Sequence, residues 1–290
     1  CPAQERRIAY PPAPWKPGTR VNTPVETVDL VPTVLDLLGL KARTTFDGVS
    51  LLAGARPEDR TLYAETWYPL SFNWSPLQSV RSRNWKYIRA PKPELYDTLA
   101  DKEEVHNRFG EDEIMSDELA SRLPSFARRQ DAAASNRKTV SPEDLEKIRS
   151  LGYLSGAAAL SDDDRVFQLP DPKDRIEVFD KVGEARLLTD KGEGDSAIRL
   201  LEPLAAGEQD NAVLFIDLGK AYSAQRRYTN AIACMERACE LDPDNAENTI
   251  ILAGTYLANG EPVKAAPILE ACVAQAPNYA VAQNLLGIAC

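Results

Sequence analysis

The side chains that most often carry out catalysis are sparse in this sequence. Its one histidine, His106, lies in a polar stretch, where a solvated surface position is expected. Five cysteines are present without a CxxC pair, which disfavours a structural zinc site. Cys234, Cys239 and Cys272 occupy small apolar positions of helical segments and are predicted to be buried free thiols. The sequence therefore predicts no catalytic residue and no metal ligand within this chain.

One cluster of side chains is better suited to binding than to catalysis. Residues 66–75 place four aromatic rings in a short loop between two predicted strands. An aromatic loop on a rigid sheet can form the wall of a substrate cleft. The alternative, which we favour, is a hydrophobic plug against a catalytic domain that is absent from this sequence. The candidate substrate-binding residues are Trp67, Tyr68, Asn73 and Trp74.

The elements around this loop predict an α+β part over residues 1–130, in which helices pack beside a small antiparallel sheet. Asp29 is expected to cap a helix that packs beside the sheet through one apolar face of Val31, Val34, Leu35 and Leu38, and Gly39 is expected to end it. Strands are expected at 61–64, 77–81, 85–89 and 95–96, with a hairpin turn at 82–84 and the last strand at an edge. Helices are expected at 28–40 and 116–130.

A linker is predicted over residues 131–170, because short runs of Ala, Ser and Asp dominate this stretch. Within the linker, Ser141-Pro142 is a start signal and Gly152 a stop signal for a short helix over 141–151.

The C-terminal part, residues 171–290, carries an internal repeat with a period of 34 residues. Tyr222 recurs as Tyr256, and Leu218 recurs as Leu252. A fixed period of this length, with small and large apolar residues at set offsets, indicates stacked helix–turn–helix units that form a binding surface. The units are expected at 178–211 (degenerate), 212–245, 246–279 and 280–290 (truncated).

Composition restricts the kind of partner that this chain can bind. The 290 residues carry a formal net charge of −10, which disfavours nucleic acid and anionic membranes as partners. A hydrophobic content of 43% is enough to build cores, and the length suggests about two domains. No apolar run reaches the roughly 18 residues that a membrane-spanning helix needs, so no transmembrane segment is predicted.

The 34-residue pattern resembles the tetratricopeptide repeat family over about 110 residues. The resemblance implies a right-handed all-α solenoid whose concave face binds a peptide or a partner protein. Carried onto this sequence, the candidate groove residues on the first helices of the repeats are Val213, Ile216, Lys220, Glu247 and Ile250.

A second set of motifs lies in the first 110 residues. The motifs are Pro17-Gly18-Thr19-Arg20-Val21, then Val28-Asp29-Leu30-Val31-Pro32 running on to Gly39, then Asp47-Gly48-Val49-Ser50-Leu51, Trp85-Lys86-Tyr87-Ile88 and Glu94-Leu95-Tyr96-Asp97. Their order and spacing resemble the C-terminal subdomain of sulfatases of the alkaline phosphatase superfamily. They also look like the bacterial sulfatase subgroup that carries tetratricopeptide repeats after the enzyme domain.

The sulfatase resemblance implies hydrolysis of sulfate esters by a longer parent protein. Family members convert the cysteine of a C-x-P-x-R motif to formylglycine and hold a divalent cation, usually calcium. This sequence departs from the motif, because Ala3 and Glu5 stand where Pro and Arg are required after Cys1. The formylglycine and the calcium site are therefore expected in the missing upstream part of the parent. No catalytic residue is carried over, and this chain alone is expected to be inactive.

The leading interpretation is thus a fragment of a sulfuric ester hydrolase with a C-terminal protein-interaction module. One alternative is a non-enzymatic adaptor, in which a sulfatase remnant caps a peptide-binding solenoid. Another is a phosphoester hydrolase of the same superfamily, because this end of the fold does not distinguish sulfur from phosphorus. The resemblance also implies export to a bacterial periplasm or the cell surface.

Overall fold

The computed structural model describes residues 24–41, 45–52, 60–123, 164–243, 245–275, 277 and 279–290. These residues divide into two compact units. The first unit contains those within 24–65, 78–89 and 93–123. The second unit contains 66–77 and 90–92 together with the described residues from 164 to 290.

A four-stranded sheet with strand order β1-β2-β3-β4 forms the first unit's framework. Strands β2 and β3 are antiparallel and pair Ser82 with Trp85 across a two-residue turn, in which Arg83 adopts a φ of 52°. Strand β4 pairs antiparallel with β3 and lies at the edge of the sheet, as predicted. The strands are β1 (Thr61–Thr66), β2 (Leu77–Ser82), β3 (Trp85–Arg89) and β4 (Glu94–Asp97).

Two α-helices accompany this sheet in the described part of the first unit, α1 (Leu30–Leu37) and α2 (Glu113–Ala120). Helix α2 begins three residues before the predicted start at 116, because the side chain of Asp112 accepts a hydrogen bond from the backbone N–H of Met115 at 3.1 Å. The remainder of the predicted helix, 124–130, lies outside the described residues. Helix α2 packs on β3 and completes an apolar core of Val80, Tyr87, Leu95, Leu119 and Leu123.

The buried side of α1 is polar, which differs from the prediction. Val31, Val34 and Leu38 are about half exposed, whereas Asp29 and Thr33 are buried. Asp29 precedes the helix, but its side chain does not cap it. The carboxylate instead accepts hydrogen bonds from partners distant in sequence, including the backbone N–H of Val49 at 2.8 Å. Gly39, with a φ of 65°, follows the helix where its end was predicted.

Stacked helix pairs make up most of the second unit. Each helix packs on the next along the chain. The first helix of the first pair also contacts that of the second pair, and the first helix of the third pair contacts the last helix. The helices are α3 (Ile176–Asp190), α4 (Gly194–Gly207), α5 (Ala212–Ala224), α6 (Tyr228–Leu241), α7 (Ala246–Ala258), α8 (Pro262–Gln275) and α9 (Ala280–Ala289). Helices α5 and α6 fall within the predicted unit 212–245, and α7 and α8 within 246–279.

The sequence period reappears in the packing of these pairs. Tyr222 and Tyr256, which are 34 positions apart, are both buried. Their hydroxyls donate hydrogen bonds to Glu202 and Glu236, which are also 34 positions apart and lie on the preceding second helix. The same joint between neighbouring repeats is therefore built twice.

The predicted linker lies largely outside the described residues, and so does its short helix at 141–151. Of the linker, the structure describes residues 164–170, where Asp164–Gln168 forms a 3-10 turn. In the part of the chain that the structure describes, no helix is both long enough and apolar enough to cross a bilayer.

Candidate functional site

The aromatic segment, residues 67–74, connects β1 to β2 and packs within the second unit. It forms a 3-10 turn over Tyr68–Phe72, with Pro69 in the first turn, where a missing N–H does no harm. Asn73 ends the turn in the left-handed conformation, with a φ of 56°, which asparagine tolerates better than most residues. The reversal stacks the ring of Trp74 on that of Phe72, with 4.6 Å between centroids.

The stacked pair is buried against the first two repeats. Phe72 is 1% exposed and Trp74 is 4% exposed, and both belong to the hydrophobic cluster that contains Val182 of α3 and Leu214 of α5. The indole N–H of Trp74 donates a hydrogen bond to Glu208 at 3.0 Å. Because the polar edge of the indole is satisfied as well as its apolar faces, the segment is fixed in one orientation.

The turn of the segment packs on α5, and its aromatic rings contact a recognisable set of positions on α3. Phe179, Val182 and Arg186 precede the predicted groove residues Val213, Ile216 and Lys220 by 34 positions each. The ring of Phe179 meets those of Tyr68 and Phe72 edge to face, at centroid distances of 6.2 Å and 5.8 Å. The hydroxyl of Tyr68 lies near Arg186 and raises the pKa of that guanidinium. We use the term first-helix face for this surface and its repeats on α5 and α7.

An ion pair joins the first two repeats beside the aromatic segment. Arg186 on α3 donates a hydrogen bond to Asp217 on α5 at 2.8 Å. The pKa of Asp217 is raised overall, because burial raises it by more than the charges of Arg186 and Lys220 lower it. Burial lowers the pKa of Arg186, but the charge of Asp217 and the nearby hydroxyl of Tyr68 outweigh burial, so that the pKa is raised overall. The guanidinium therefore holds the turn and the neighbouring repeat together.

The predicted groove residues occupy different environments. Val213 and Ile216 are half-buried on α5, and Lys220 is exposed one turn further along the same side of that helix. Glu247 is exposed at the start of α7. Ile250 is 5% exposed and packs between helices, against Cys272 of α8 and Ala282 of α9. The structure thus brings Val213, Ile216 and Lys220 onto one accessible face, and peptide binding by all five residues stays a prediction.

The predicted substrate-binding residues lie along the aromatic segment with unequal exposure. Tyr68 and Asn73 are exposed, Trp67 is half-buried beside Phe167, and Trp74 is buried. Among the described residues, the indole N–H of Trp67 has no hydrogen-bond acceptor. Substrate binding by these residues stays a prediction.

Sequence reasoning missed the part of the first-helix face that lies on α3. The first repeat is degenerate, with Leu188 at the position of Tyr222 and Gln209 where the later units have proline. Counting back 34 positions from Val213, Ile216 and Lys220 would have found Phe179, Val182 and Arg186 despite this degeneracy.

Groups with catalytic potential are not assembled in the described residues. The side chain of His106 is 82% exposed, 3.8 Å from Asp101. Burial raises the pKa of the Cys234 thiol to about 11, which keeps it protonated and weakly nucleophilic at neutral pH. In these parts of the chain no three His, Cys, Asp or Glu side chains converge on a common point.

Comparison with known proteins identifies the helical repeats. The sequence model of the tetratricopeptide repeat family matches residues 222–288, from the end of α5 into α9. This part of the chain therefore carries tetratricopeptide repeats, a type of module that supports protein interaction.

One protein with a similar sequence is an enzyme. A choline-sulfatase of Rhizobium meliloti (strain 1021) is 35% identical over 96 residues, which are 31% of this chain and 19% of the relative. The chain therefore spans only a minor part of the length of that enzyme.

Solved structures of helical-repeat proteins show a limited likeness. The Yersinia enterocolitica secretion chaperone SycD, in complex with a YopD peptide, is 17% identical with a TM-score of 0.36, over 39% of this chain and 92% of that one. The second tetratricopeptide domain of human RPAP3, in complex with an HSP70 peptide, is 17% identical with a TM-score of 0.37, over 40% and 96%. MamA of Desulfovibrio magneticus RS-1 is 27% identical with a TM-score of 0.34, over 38% and 64%.

Proposed function

We propose that the repeats bind a protein segment through the first-helix face, as the interaction module of a sulfatase-type hydrolase. The observation that carries the binding role is the position of the aromatic segment. Tyr68 and Phe72 are already packed on Phe179 of α3, at a position that recurs as Val213 on α5. A surface that accepts a polypeptide turn in one repeat presents related side chains in the next.

The chemistry of the accessible face defines the partner. Val213 and Ile216 offer a half-buried apolar patch, and Lys220 is an exposed cation at one end of it. Glu247 adds an exposed anion on the next repeat. We infer that the partner segment places an apolar side chain on Val213 and Ile216 and directs a carboxylate toward Lys220.

A selection experiment tests the binding role. Peptides are selected from a random display library on the full chain, and their affinities are measured by fluorescence anisotropy. Ile216→Asp and Lys220→Glu should each raise the Kd of the selected peptides about 10-fold or more, a loss of about 1.4 kcal/mol or more. Arg199→Glu, a charge reversal on the second helix α4, is the control and should leave the Kd unchanged. An unchanged Kd in Ile216→Asp and Lys220→Glu would place the binding site elsewhere.

The hydrolase role is proposed for the parent protein. Its support is the ordered motif series in the first 110 residues together with the 35% identity to a choline-sulfatase over 96 residues. On this proposal the first unit is part of a sulfatase C-terminal subdomain. Formylglycine and calcium belong to a part of the parent upstream of this sequence, and a sulfate ester is the substrate.

Turnover assays separate this proposal from its alternatives. This chain alone should hydrolyse no aryl sulfate above background, and a longer protein that includes a C-x-P-x-R motif should do so when calcium is present. Faster hydrolysis of an aryl phosphate by the longer protein would favour a phosphoester hydrolase. A parent gene without the motif, whose product hydrolyses neither ester, would favour a non-enzymatic adaptor.

A further inference from the structure

The aromatic segment is held at both its apolar and its polar atoms. Phe72 and Trp74 are less exposed than all five predicted groove residues. Glu208, which accepts the hydrogen bond from the Trp74 indole, also forms an ion pair with Arg175 at 3.0 Å. The backbone N–H of Ser75, directly after the segment, donates to the carbonyl of Pro170 at 2.9 Å.

Release of the segment would expose two large aromatic rings and leave polar groups without partners. The hydrogen bond between the Trp74 indole and the Glu208 carboxylate would break, and Val182 would lose apolar contacts that bury it. Burial of aromatic rings is among the larger favourable contributions in protein cores, and unpaired buried polar groups are costly. These interactions therefore favour a segment that stays docked over one that a partner displaces.

We propose that the aromatic segment is a built-in ligand that permanently occupies the α3 section of the first-helix face, also packs on α5, and restricts external partners to the part of the α5 and α7 surface that it leaves accessible. This inference rests on the proposed function, because it assumes that the first-helix face binds polypeptide. The remaining section is formed by Val213, Ile216, Lys220 and Glu247, which are half-buried or exposed.

The bound segment also indicates how the open section is used. Tyr68 directs its hydroxyl to Arg186, and Lys220 occupies the position equivalent to Arg186 on the next repeat. Phe179, which the rings of Tyr68 and Phe72 contact, is equivalent to Val213. An external segment that repeats this arrangement places an apolar side chain on Val213 and an oxygen acceptor beside Lys220.

Hydrogen exchange on the full chain tests whether the segment is docked. The backbone N–H groups of Asn73, Trp74 and Ser75 should exchange as slowly as those within α5. In Phe179→Ala their exchange should become at least 10-fold faster, while α6 and α7 are unchanged. Phe109→Ala is the matched control, because it removes a 44% exposed ring that faces Tyr87 in the first unit. Fast exchange of the segment in the wild type, or no effect of Phe179→Ala, would overturn the proposal.

A synthetic peptide tests whether the α3 section is occupied. The probe is the blocked peptide Thr66–Leu77, added to the wild-type chain and to the double variant Phe72→Ala, Trp74→Ala. The peptide should bind the double variant at least 10-fold more tightly than the wild type. Equal affinity for both chains would show that the section is open and would overturn the proposal. If hydrogen exchange shows that the double variant unfolds α3–α5, the Phe179→Ala result decides.

The selected library peptides then test whether the contact is permanent. Their binding should leave the exchange of the segment unchanged, whereas acceleration of 10-fold or more would show that partners displace it and would contradict permanent occupation. A library that yields no binding peptide counts against the proposed function, while slow exchange of the segment still supports its docking. The two failures are therefore distinguishable.

Discussion

The two units of this protein bury different kinds of groups. In the first unit, Asp29 is fully buried and receives hydrogen bonds from Arg60 at 2.7 Å and 2.9 Å and from two backbone N–H groups. In the second unit, the buried groups are mostly apolar and recur every 34 residues, as Leu218 and Leu252 do. The first unit adds a single buried charged cluster to its apolar core, and the second unit repeats one apolar contact.

This difference predicts how a single substitution should change the stability of each unit. The charged cluster of the first unit joins residues from several segments, because Arg60 contacts both Asp29 and Glu26. The loss of one member leaves a buried charge without its partner. In the second unit, each repeat contributes its own share of the stability, so a substitution should act on one joint between repeats.

The largest effect is expected from Arg60→Ala. It leaves the carboxylate of Asp29, which is 1% exposed, without its guanidinium. Removal of one partner of a buried ion pair costs about 3–5 kcal/mol. Hydrogen exchange in β2 and β3 should show the corresponding loss in the free energy of unfolding. Asp36→Ala, at an exposed acidic residue of α1, is the control, with an expected change within about 0.5 kcal/mol. A loss below 1 kcal/mol in Arg60→Ala would contradict the role of the cluster.

Acid should weaken the first unit through the same cluster. Burial of Asp29 raises its pKa, but the hydrogen bonds from Arg60 and from the backbone N–H groups of Glu26 and Val49 outweigh burial and lower the pKa well below the ordinary value of 3.8. A lowered folded-state pKa stabilises the fold above the ordinary value, and this stability is lost as the pH falls below it. The pH dependence of unfolding between about pH 4 and pH 2 should be shallower in Asp29→Asn than in the wild type.

An intermediate effect is expected at a close approach in the second unit. A Cβ on Gly219 would lie 2.7 Å from the tip of the Met235 side chain and 3.3 Å from the backbone oxygen of Ala231. Gly219→Leu should therefore destabilise α5 and α6 by about 1–3 kcal/mol in urea unfolding. Gly219→Ala should change stability by less than about 1 kcal/mol, because the flexible methionine can move and alanine favours helix.

Gly254→Ala is the matched control for this contact. It lies in the interior of α7, where the nearest atom to an added Cβ is 3.9 Å away, on Leu285. It should stabilise the second unit by about 0.5–1 kcal/mol through helix propensity alone. If Gly219→Leu is tolerated as well as Gly254→Ala, the close packing of α5 on α6 does not limit residue size.

The smallest effect is expected from Tyr222→Phe and Tyr256→Phe, which remove the recurring hydrogen bond between repeats. Each should cost about 0.5–1.5 kcal/mol at neutral pH, because the glutamate partners are exposed. Similar losses at both sites would show that the two joints are equivalent. Tyr228→Phe, at a half-exposed position of α6, is the control and should change stability by less than about 0.5 kcal/mol.

Alkaline pH offers a second measurement of this joint. Burial and the hydrogen bond to Glu202 together raise the pKa of Tyr222 to about 12. Because the folded-state pKa is raised, the stabilisation is complete below the ordinary value of 10.0 and is lost as the pH rises toward about 12. The stability difference between the wild type and Tyr222→Phe should therefore shrink over this range. A difference that does not depend on pH would contradict the assigned hydrogen bond.

The sequence by itself determined the features that depend on neighbours in the chain or on a fixed period. The hairpin of β2 and β3 follows from the β-prone residues that flank a short turn, and the edge position of β4 agrees with Pro91 and Pro93 before it. The period of 34 residues located Tyr222 and Tyr256 at equivalent positions, because each repeat makes the same contact with its neighbour.

Only the tertiary structure decided where the aromatic segment packs and which partners Asp29 takes. Trp74 donates a hydrogen bond to Glu208, which is 134 residues away in sequence, and Asp29 accepts hydrogen bonds from Arg60, which is 31 residues away. Neither separation is encoded in a local period, so a short sequence pattern cannot specify these pairs. Aromatic rings and buried carboxylates can be satisfied by many partners. The choice among them was made by the packing of the whole unit, which brings distant segments of the chain together.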